Sequence, residues 1–251
     1  MKCQNGEAGN DWYCAAVKDN NGSIILSAIC TPPYNILIYE TGNKHDSAAV
    51  DLLACELFNV GYNPPGVLSE QTTANAFAES YAKLIDKKTR IHVTLNLMQL
   101  FEVTKIDFAS GFMREAVEDD IYFLPYWHKE FCIECGIDLW KTLNDMLDAF
   151  KHRLGKNMQY LWIDNGVPVS AAAFNRESFD GAVVGGVYTP PIYRGKGYCT
   201  ALMAQLSQNL LDRGYKYCCL FADADYPLSN KVYQKVGYKD ICLYRDIRFE
   251  E

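Results

Sequence analysis

The stretch from Val183 to Tyr238 constrains the fold more than the rest of the chain together. An apolar run, Val183-Val184-Gly185-Gly186-Val187-Tyr188, leads into Thr189-Pro190-Pro191 and then a basic glycine turn, Arg194-Gly195-Lys196-Gly197. Tyr198, Leu202, Leu206 and Leu210 follow at helical spacing, and Gly214 stands where a helix-ending glycine belongs. Tyr217 to Ala222 is short and apolar, as a buried strand is. Strand, glycine turn and helix in that order build a place for phosphate groups. The glycines let the backbone turn tightly, successive N–H groups point one way, and the helix start adds positive potential. On the turn alone, an ordinary surface turn is an equal alternative.

Composition narrows the class without naming a function. At 251 residues the chain can bury one large core or two small ones. Its 49% hydrophobic and 22% charged residues exclude disorder. No apolar run reaches the length of a membrane span, so no membrane partner is expected. The opening Met1-Lys2-Cys3-Gln4 has no apolar signal core after it, which leads to the expectation of a cytoplasmic protein. The 10 cysteines are then read as small buried hydrophobes in a reducing compartment. Cys132-Ile133-Glu134-Cys135 has the spacing of half a zinc site, but Cys218-Cys219 lacks the spacing of the other half, so no metal is expected. A formal net charge of −7 argues against a nucleic-acid partner and mildly favours a cationic amine.

A second element lies after the Tyr217 strand: Ser229-Asn230-Lys231-Val232-Tyr233, closed by Gly237-Tyr238. With the turn Arg194-Gly195-Lys196-Gly197-Tyr198-Cys199 it resembles the GNAT superfamily of N-acetyltransferases. That family carries a Gln/Arg-x-x-Gly-x-Gly/Ala turn; here the small residue Cys199 takes the last place. The resemblance covers Gly111 to Glu251 and implies acetyl-CoA as co-substrate. By that resemblance, the pyrophosphate lies on Arg194, Gly195, Lys196, Gly197, Tyr198, Cys199 and Thr200. The pantetheine arm pairs with the backbone of Val187, Tyr188 and Thr189, where an N–H can also face the thioester oxygen. Asn230 hydrogen-bonds the arm, and Tyr233 gives its phenolic proton to the departing sulfur as general acid. Asn230 and Tyr233 are three apart and share a helix face. In a chain with 17 tyrosines, a core-edge tyrosine is the plain alternative for Tyr233.

The general base is not fixed by any motif. Asp223 is the tentative candidate; Asp225 and Glu177 are others, and each reads equally as a solvated loop carboxylate. Water can carry the proton instead. His92, His128 and His152 have no spacing that recommends them.

Two blocks are expected, 1–107 and 108–251. In the second, Phe112–Ala116 reads as a strand, Asp119–Cys135 and Asp138–Arg153 as helices, with Pro125 kinking or dividing the first. Met158–Ile163 and Val167–Ala173 flank the hairpin signal Asp164-Asn165-Gly166. Ala182–Tyr188, the glycine turn and its helix, the Tyr217 strand, the Asn230 helix and a strand Ile241–Phe249 complete the block. The resemblance makes this a GNAT fold, an α/β arrangement with a central, mostly antiparallel sheet flanked by helices.

In the first block, Trp12–Val17, Ser23–Ile29 and Asn35–Tyr39 read as strands. Val50, Leu53, Ala54, Leu57 and Phe58 mark a helix ending at Gly61. Ser69 is expected to cap a second helix, whose inner face is Ala74, Phe77, Ala78, Tyr81 and Ile85. Ile91, Val93, Leu95 and Leu97 alternate as the apolar face of a strand. The block reads as a smaller, degenerate GNAT-like half, with an unrelated α+β appendage as the alternative. Glu40-Thr41-Gly42-Asn43 is acidic where phosphate needs amides and cations, so no CoA is expected there. The chain as a whole reads as an N-acetyltransferase moving acetyl from acetyl-CoA to a small-molecule or peptide amine, acting as a monomer or homodimer. A non-catalytic acyl-CoA-binding module and a transferase using a longer acyl-CoA are the alternatives.

Overall fold

The computed structural model describes residues 9, 11–42 and 45–250. Asn43 of the acidic segment and the opening residues Met1 to Ala8 lie outside the described residues. By contacts the chain forms two compact units, Met1–Asn96 with Cys242–Glu251, and Leu97–Ile241. The division read from the sequence, 107/108, assigns Cys242–Glu251 to the second block instead.

The first unit contains β1 (Tyr13–Lys18), β2 (Ile24–Cys30), β3 (Ile36–Glu40), α1 (Ser47–Asn59), β4 (Gly66–Glu70), α2 (Gln71–Ile85) and the start of β5 (Lys88–Leu100). Strands β1, β2 and β3 pair antiparallel, and β3 pairs parallel with β4. The C-terminal strand, numbered β11 (Lys239–Glu250), returns to pair antiparallel with β4 from Tyr244↔Glu70 to Arg248↔Gly66. The apolar faces of α1 and α2 bury Val50, Leu53, Leu57, Phe77 and Tyr81 against Leu26, Ile36 and Val67.

Three local expectations change here. Ser69 caps nothing: it lies in β4 and its hydroxyl donates to the Ile38 carbonyl at 2.7 Å, while Glu70 caps α2 by accepting from the Thr72 N–H at 2.9 Å. Strand β4 itself was not expected, because Val67-Leu68 is too short an apolar run after Pro64-Pro65 to carry a period. In β5 the phase is reversed: Ile91 is exposed, while Asn96, Met98 and Leu100 are buried. A period of two says which residues share a face, and tertiary packing decides which face is covered.

The second unit contains β6 (Phe112–Glu115), a 3-10 turn (Glu118–Tyr122), α3 (Leu124–Cys135), α4 (Leu143–Leu154), β7 (Gln159–Asp164), β8 (Val167–Ser178), β9 (Gly181–Tyr188), α5 (Tyr198–Asp212), β10 (Tyr217–Asp223) and α6 (Pro227–Val236). The order follows the expected one, and Pro125 divides the first helical stretch by standing in the opening turn of α3, where a missing N–H costs nothing. Helix α4 starts later than expected, at a capping box of Thr142 and Asp145. Strands β6 to β9 pair antiparallel in sequence order, and β9 pairs parallel with β10. The sheet is therefore mostly antiparallel, within an α/β fold. At the β7–β8 hairpin, Asn165 and Gly166 both have positive φ, 49° and 79°, the geometry of a two-residue turn that matches strand twist.

Both sheet faces are covered, and β7 makes this visible by alternation. Leu161 and Ile163 pack with Leu124 of α3 and Phe150 of α4. Tyr160 and Trp162 face the other way, toward Leu202, Leu206 and Leu210 of α5. Among the described residues no helix is long and apolar enough to cross a membrane.

Candidate active site

Strands β9 and β10 begin as partners and then separate. Their pairing runs Tyr217↔Gly181, Cys218↔Ala182 and Cys219↔Val183 and stops there. The C-terminal halves of both strands thus leave a cleft in the sheet, with one backbone edge of β9 free of β10. On its other side β9 pairs with β8 through a bulge: Ala173 faces Gly185 and Ala171 faces Tyr188. One extra residue of β9 is left outside the ladder, at Gly186-Val187. Gly186 has φ +59°, in the left-handed region that favours glycine, and a Cβ on Gly185 would crowd the Asn175 side-chain amide. The pair of glycines inside a strand was the available signal for this bulge.

The cleft leads to the basic turn. Gly195 and Gly197 have φ of 76° and 84°, the left-handed region that other residues enter at a cost. Gly197 is the residue before α5 and has no side chain to cap it, so the first amides of α5 keep their donors. Tyr198 is buried beneath the turn and its hydroxyl donates to Asp164 Oδ2 at 2.7 Å, which holds the Asp164 carboxyl below its usual range. Its side chain thus anchors the helix start to the β7–β8 hairpin. Cys199 is partly buried, and burial pushes its thiol up to about 12. Thr200 is partly buried in the first turn of α5.

The two cations of the turn differ. Arg194 Nη2 donates to both carboxylate oxygens of Glu134 in α3, at 2.7 and 2.8 Å, and its Nε donates to the Thr189 carbonyl at 2.8 Å. The guanidinium also lies 5.8 Å from the Tyr188 ring centroid. Lys196 makes no ion pair among the described residues; its ammonium lies 5.9 Å from the Tyr193 ring centroid.

Helix α6 presents Asn230 and Tyr233. The Asn230 amide donates to the carbonyls of Asp223 at 2.7 Å and Tyr226 at 3.0 Å, tying the β10–α6 loop to the helix. Its Oδ1 is buried and accepts no hydrogen bond from the described residues. Tyr233 is 8% exposed, and its ring meets Tyr238 edge-on at 6.1 Å. Burial raises its phenol well above the ordinary value, and the nearby Cys199 and Cys135 thiols act in the same direction.

The sequence of residues 120–238 matches the acetyltransferase (GNAT) family. This part of the chain is a GNAT acetyltransferase domain. Solved structures agree at the level of fold. A GNAT-family acetyltransferase from Colwellia psychrerythraea is 12% identical with a TM-score of 0.64, over 95% of this chain and 84% of that one. A GCN5-related N-acetyltransferase from Sphaerobacter thermophilus gives 13% and 0.62, over 93% and 79%. A Drosophila protein gives 13% and 0.66, over 95% and 78%. A comparison with curated proteins finds no match.

Beside the bulge, the GNAT domain holds a cavity of about 260 Å³ among α3, α4, β8 and β9, with Gly186 and Asn175 in its wall. His128 lines it, although no spacing in the sequence singled that residue out. Burial, then the charges of Arg153 and Lys141, bring the His128 imidazole down to about 4, so it is neutral at neutral pH. Of the candidate bases, Asp223 is exposed at the end of β10 and its Oδ1 accepts the Asp225 N–H at 2.9 Å. Glu177 does not reach the site. It sits near the β8–β9 hairpin, where it accepts from the Tyr215 hydroxyl at 2.6 Å, at the far end of β9 from Tyr188. Eight strand residues separate those ends by roughly 25 Å. Among the described residues no group of three or more His, Cys, Asp or Glu gathers as a metal site.

Proposed function

We propose that the GNAT domain transfers the acetyl group of acetyl-CoA to a primary amine of a small molecule or peptide, by direct attack in a ternary complex. The observation that carries this reading is the parting of β9 from β10 directly ahead of an uncapped, glycine-opened helix start. An extended pantetheine arm can pair with the free edge of Val187, Tyr188 and Thr189 as an added strand. The pyrophosphate then meets the amides from Gly195 to Thr200, with Lys196 as the uncommitted cation. The orphan Asn230 Oδ1 has the chemistry to accept an amide N–H of the arm, which would satisfy a buried acceptor.

In the reaction the amine nitrogen forms a bond to the thioester carbon and the carbon–sulfur bond breaks. The N–H left unpaired by the bulge would stabilise the oxygen as charge grows on it. Tyr233 would donate its proton to the leaving sulfur; its raised pKa keeps that proton in place at neutral pH. The amine's proton leaves to water or to the solvated carboxylate of Asp223.

The first block, 1–107, is in this reading a degenerate GNAT-like half that binds no CoA, with 108–251 as the catalytic block. Glu40 supports it. Its carboxylate accepts from the Asp46 N–H at 2.7 Å and from the Thr73 hydroxyl, and contacts His45 Nδ1 at 2.9 Å. Asp46 in turn caps α1 through the Ala49 N–H, so the donors near this helix start already serve the protein's own acids.

Release of CoA thiol from acetyl-CoA, measured against a panel of amines, tests the activity. Calorimetric titration should give one equivalent of acetyl-CoA per chain. Tight binding without thiol release for any amine would favour a non-catalytic acyl-CoA-binding module, and two equivalents would refute the role given to the first block.

A further inference from the structure

The wall of the cavity beside Gly186 carries a cation that makes no ion pair among the described residues. Four formally charged side chains line it: Asp138, Lys141, Asp145 and Arg153. Three of them are engaged. Lys141 Nζ donates to Asp138 Oδ2 at 2.5 Å. Asp145 accepts the Thr142 N–H at 2.6 Å and the Thr142 hydroxyl at 2.7 Å, as the capping box of α4. Arg153, in the last turn of α4, is partly buried and makes no side-chain hydrogen bond or ion pair among the described residues. Burial pulls its guanidinium below the ordinary value, and the group that pushes back is the Cys132 thiol, not a carboxylate. A cation withdrawn from water is costly unless it is paired, so an unpaired arginine in a cavity wall points to an anion that arrives with a ligand.

We propose that Arg153 binds a carboxylate of the acceptor, so that the acceptor is a small amine bearing an acidic group, of which a free amino acid is the simplest case. This rests on the acetyl-transfer reading and names the substrate class of that same site. A guanidinium presents a planar fork of donors that matches a carboxylate in two-point geometry. Gly186 belongs both to the wall of this cavity and to the bulge in β9. A carboxylate held at Arg153 therefore leaves the other end of a short acceptor facing the bulge, where the thioester carbonyl is expected. The neutral imidazole of His128 lines the same space and adds no competing charge. At about 260 Å³ the cavity suits a small acceptor and not a long chain.

The test compares L-amino acids with their C-terminal primary amides, which keep the amine and side chain and lose only the acidic charge. Thiol-release rates for both series are measured with the full chain and with Arg153→Gln and Arg153→Lys. The acid-to-amide ratio of kcat/KM should fall roughly ten- to a hundredfold in Arg153→Gln, mostly through KM, as expected for a hydrogen bond between charged groups. Arg153→Lys should recover part of it. Unchanged acetyl-CoA affinity serves as the check that each variant is folded. A ratio that Arg153→Gln leaves alone overturns the proposal.

A second arm does not need turnover. N-acetyl-L-amino acids and their amides are titrated calorimetrically into the protein saturated with CoA. Binding of the acids that is lost in Arg153→Gln supports the proposal even if no amine is acetylated, in which case only the transfer reading fails. Equal binding of acids and amides, or none of either, overturns the proposal and leaves the transfer reading to the rate measurements.

Discussion

Tyr233→Phe isolates one proton. The phenol hydroxyl makes no hydrogen bond among the described residues, while the ring is buried and packs edge-on against Tyr238. Phenylalanine keeps the ring and its contact, so the fold should lose little: a change within about 0.5 kcal/mol, the range of substitutions that touch no special feature. Acetyl-CoA affinity should move by less than about threefold for the same reason. The chemical step should slow by roughly a hundredfold or more, the ordinary worth of a positioned general acid. The pH dependence gives a further check. Burial raises the Tyr233 pKa above its usual value of 10.0, so the acid form persists through alkaline pH. The wild-type single-turnover rate should therefore show no fall assignable to this tyrosine below pH 10. Single-turnover acetyl transfer, followed with acetyl-CoA bound and amine in excess, avoids masking by slow product release. If Tyr233→Phe transfers acetyl at the wild-type rate, the tyrosine is a packing residue and the leaving thiolate takes its proton from water.

Gly197→Glu should abolish acetyl-CoA binding in calorimetry, because it forces a side chain onto a residue at φ +84° and sets a carboxylate beside the helix start. Unchanged affinity in a folded variant would move the phosphate site elsewhere. Glu134→Gln should tighten acetyl-CoA binding a few-fold at low salt by releasing Arg194, with stability changing by less than about 1 kcal/mol because the pair is partly solvated; weaker binding would mean that the pair positions the turn. His128 stays neutral in the fold down to about pH 4 but protonates near 6.5 when unfolded, so the unfolded state binds more protons between those values. Wild-type stability should fall on acidification through that window, by up to about 3 kcal/mol, and His128→Gln should flatten that limb of a plot of Tm against pH. An unchanged acid limb in the variant would refute the burial argument for His128.

What the chain made legible was local in origin. The glycine turn, its helix and the hairpin at Asn165-Gly166 each depend on a backbone conformation that few residues adopt, and such positions announce themselves in any sequence. The Asn230 and Tyr233 pair was singled out by its resemblance to a GNAT family element, and the structure sets both on α6. What stayed hidden depends on partners far along the chain. Nothing near Ser69 says that a strand lies there, since β4 exists through its pairing with β3 and with β11. The exposure of Ile91 and the burial of Met98 follow from which face is covered, a fact no period contains. Glu177 looked close to the site because it precedes β9 in sequence, yet an antiparallel hairpin sends it to the opposite end of that strand.

The engagement of Arg194 by Glu134 carries the same lesson into the chemistry. A basic turn read from sequence counts two cations for the pyrophosphate, but a cation already held by a carboxylate has less to offer a ligand. On the proposed reading the amides of α5 and Lys196 are the groups left for the phosphates, whereas Arg194 links the turn to α3. That helix also brings His128 to the cavity wall and Cys135 close to Tyr233. An acetyl-CoA phosphate that competed for Arg194 would have to loosen the same contact that ties the turn to the helix lining the acceptor cavity. Occupancy of the phosphate site and the shape of the acceptor cavity should therefore be coupled through Glu134. Replacing that one exposed carboxylate should change the KM for the acceptor amine as well as the affinity for acetyl-CoA. A change confined to acetyl-CoA would show that the turn and the cavity behave independently.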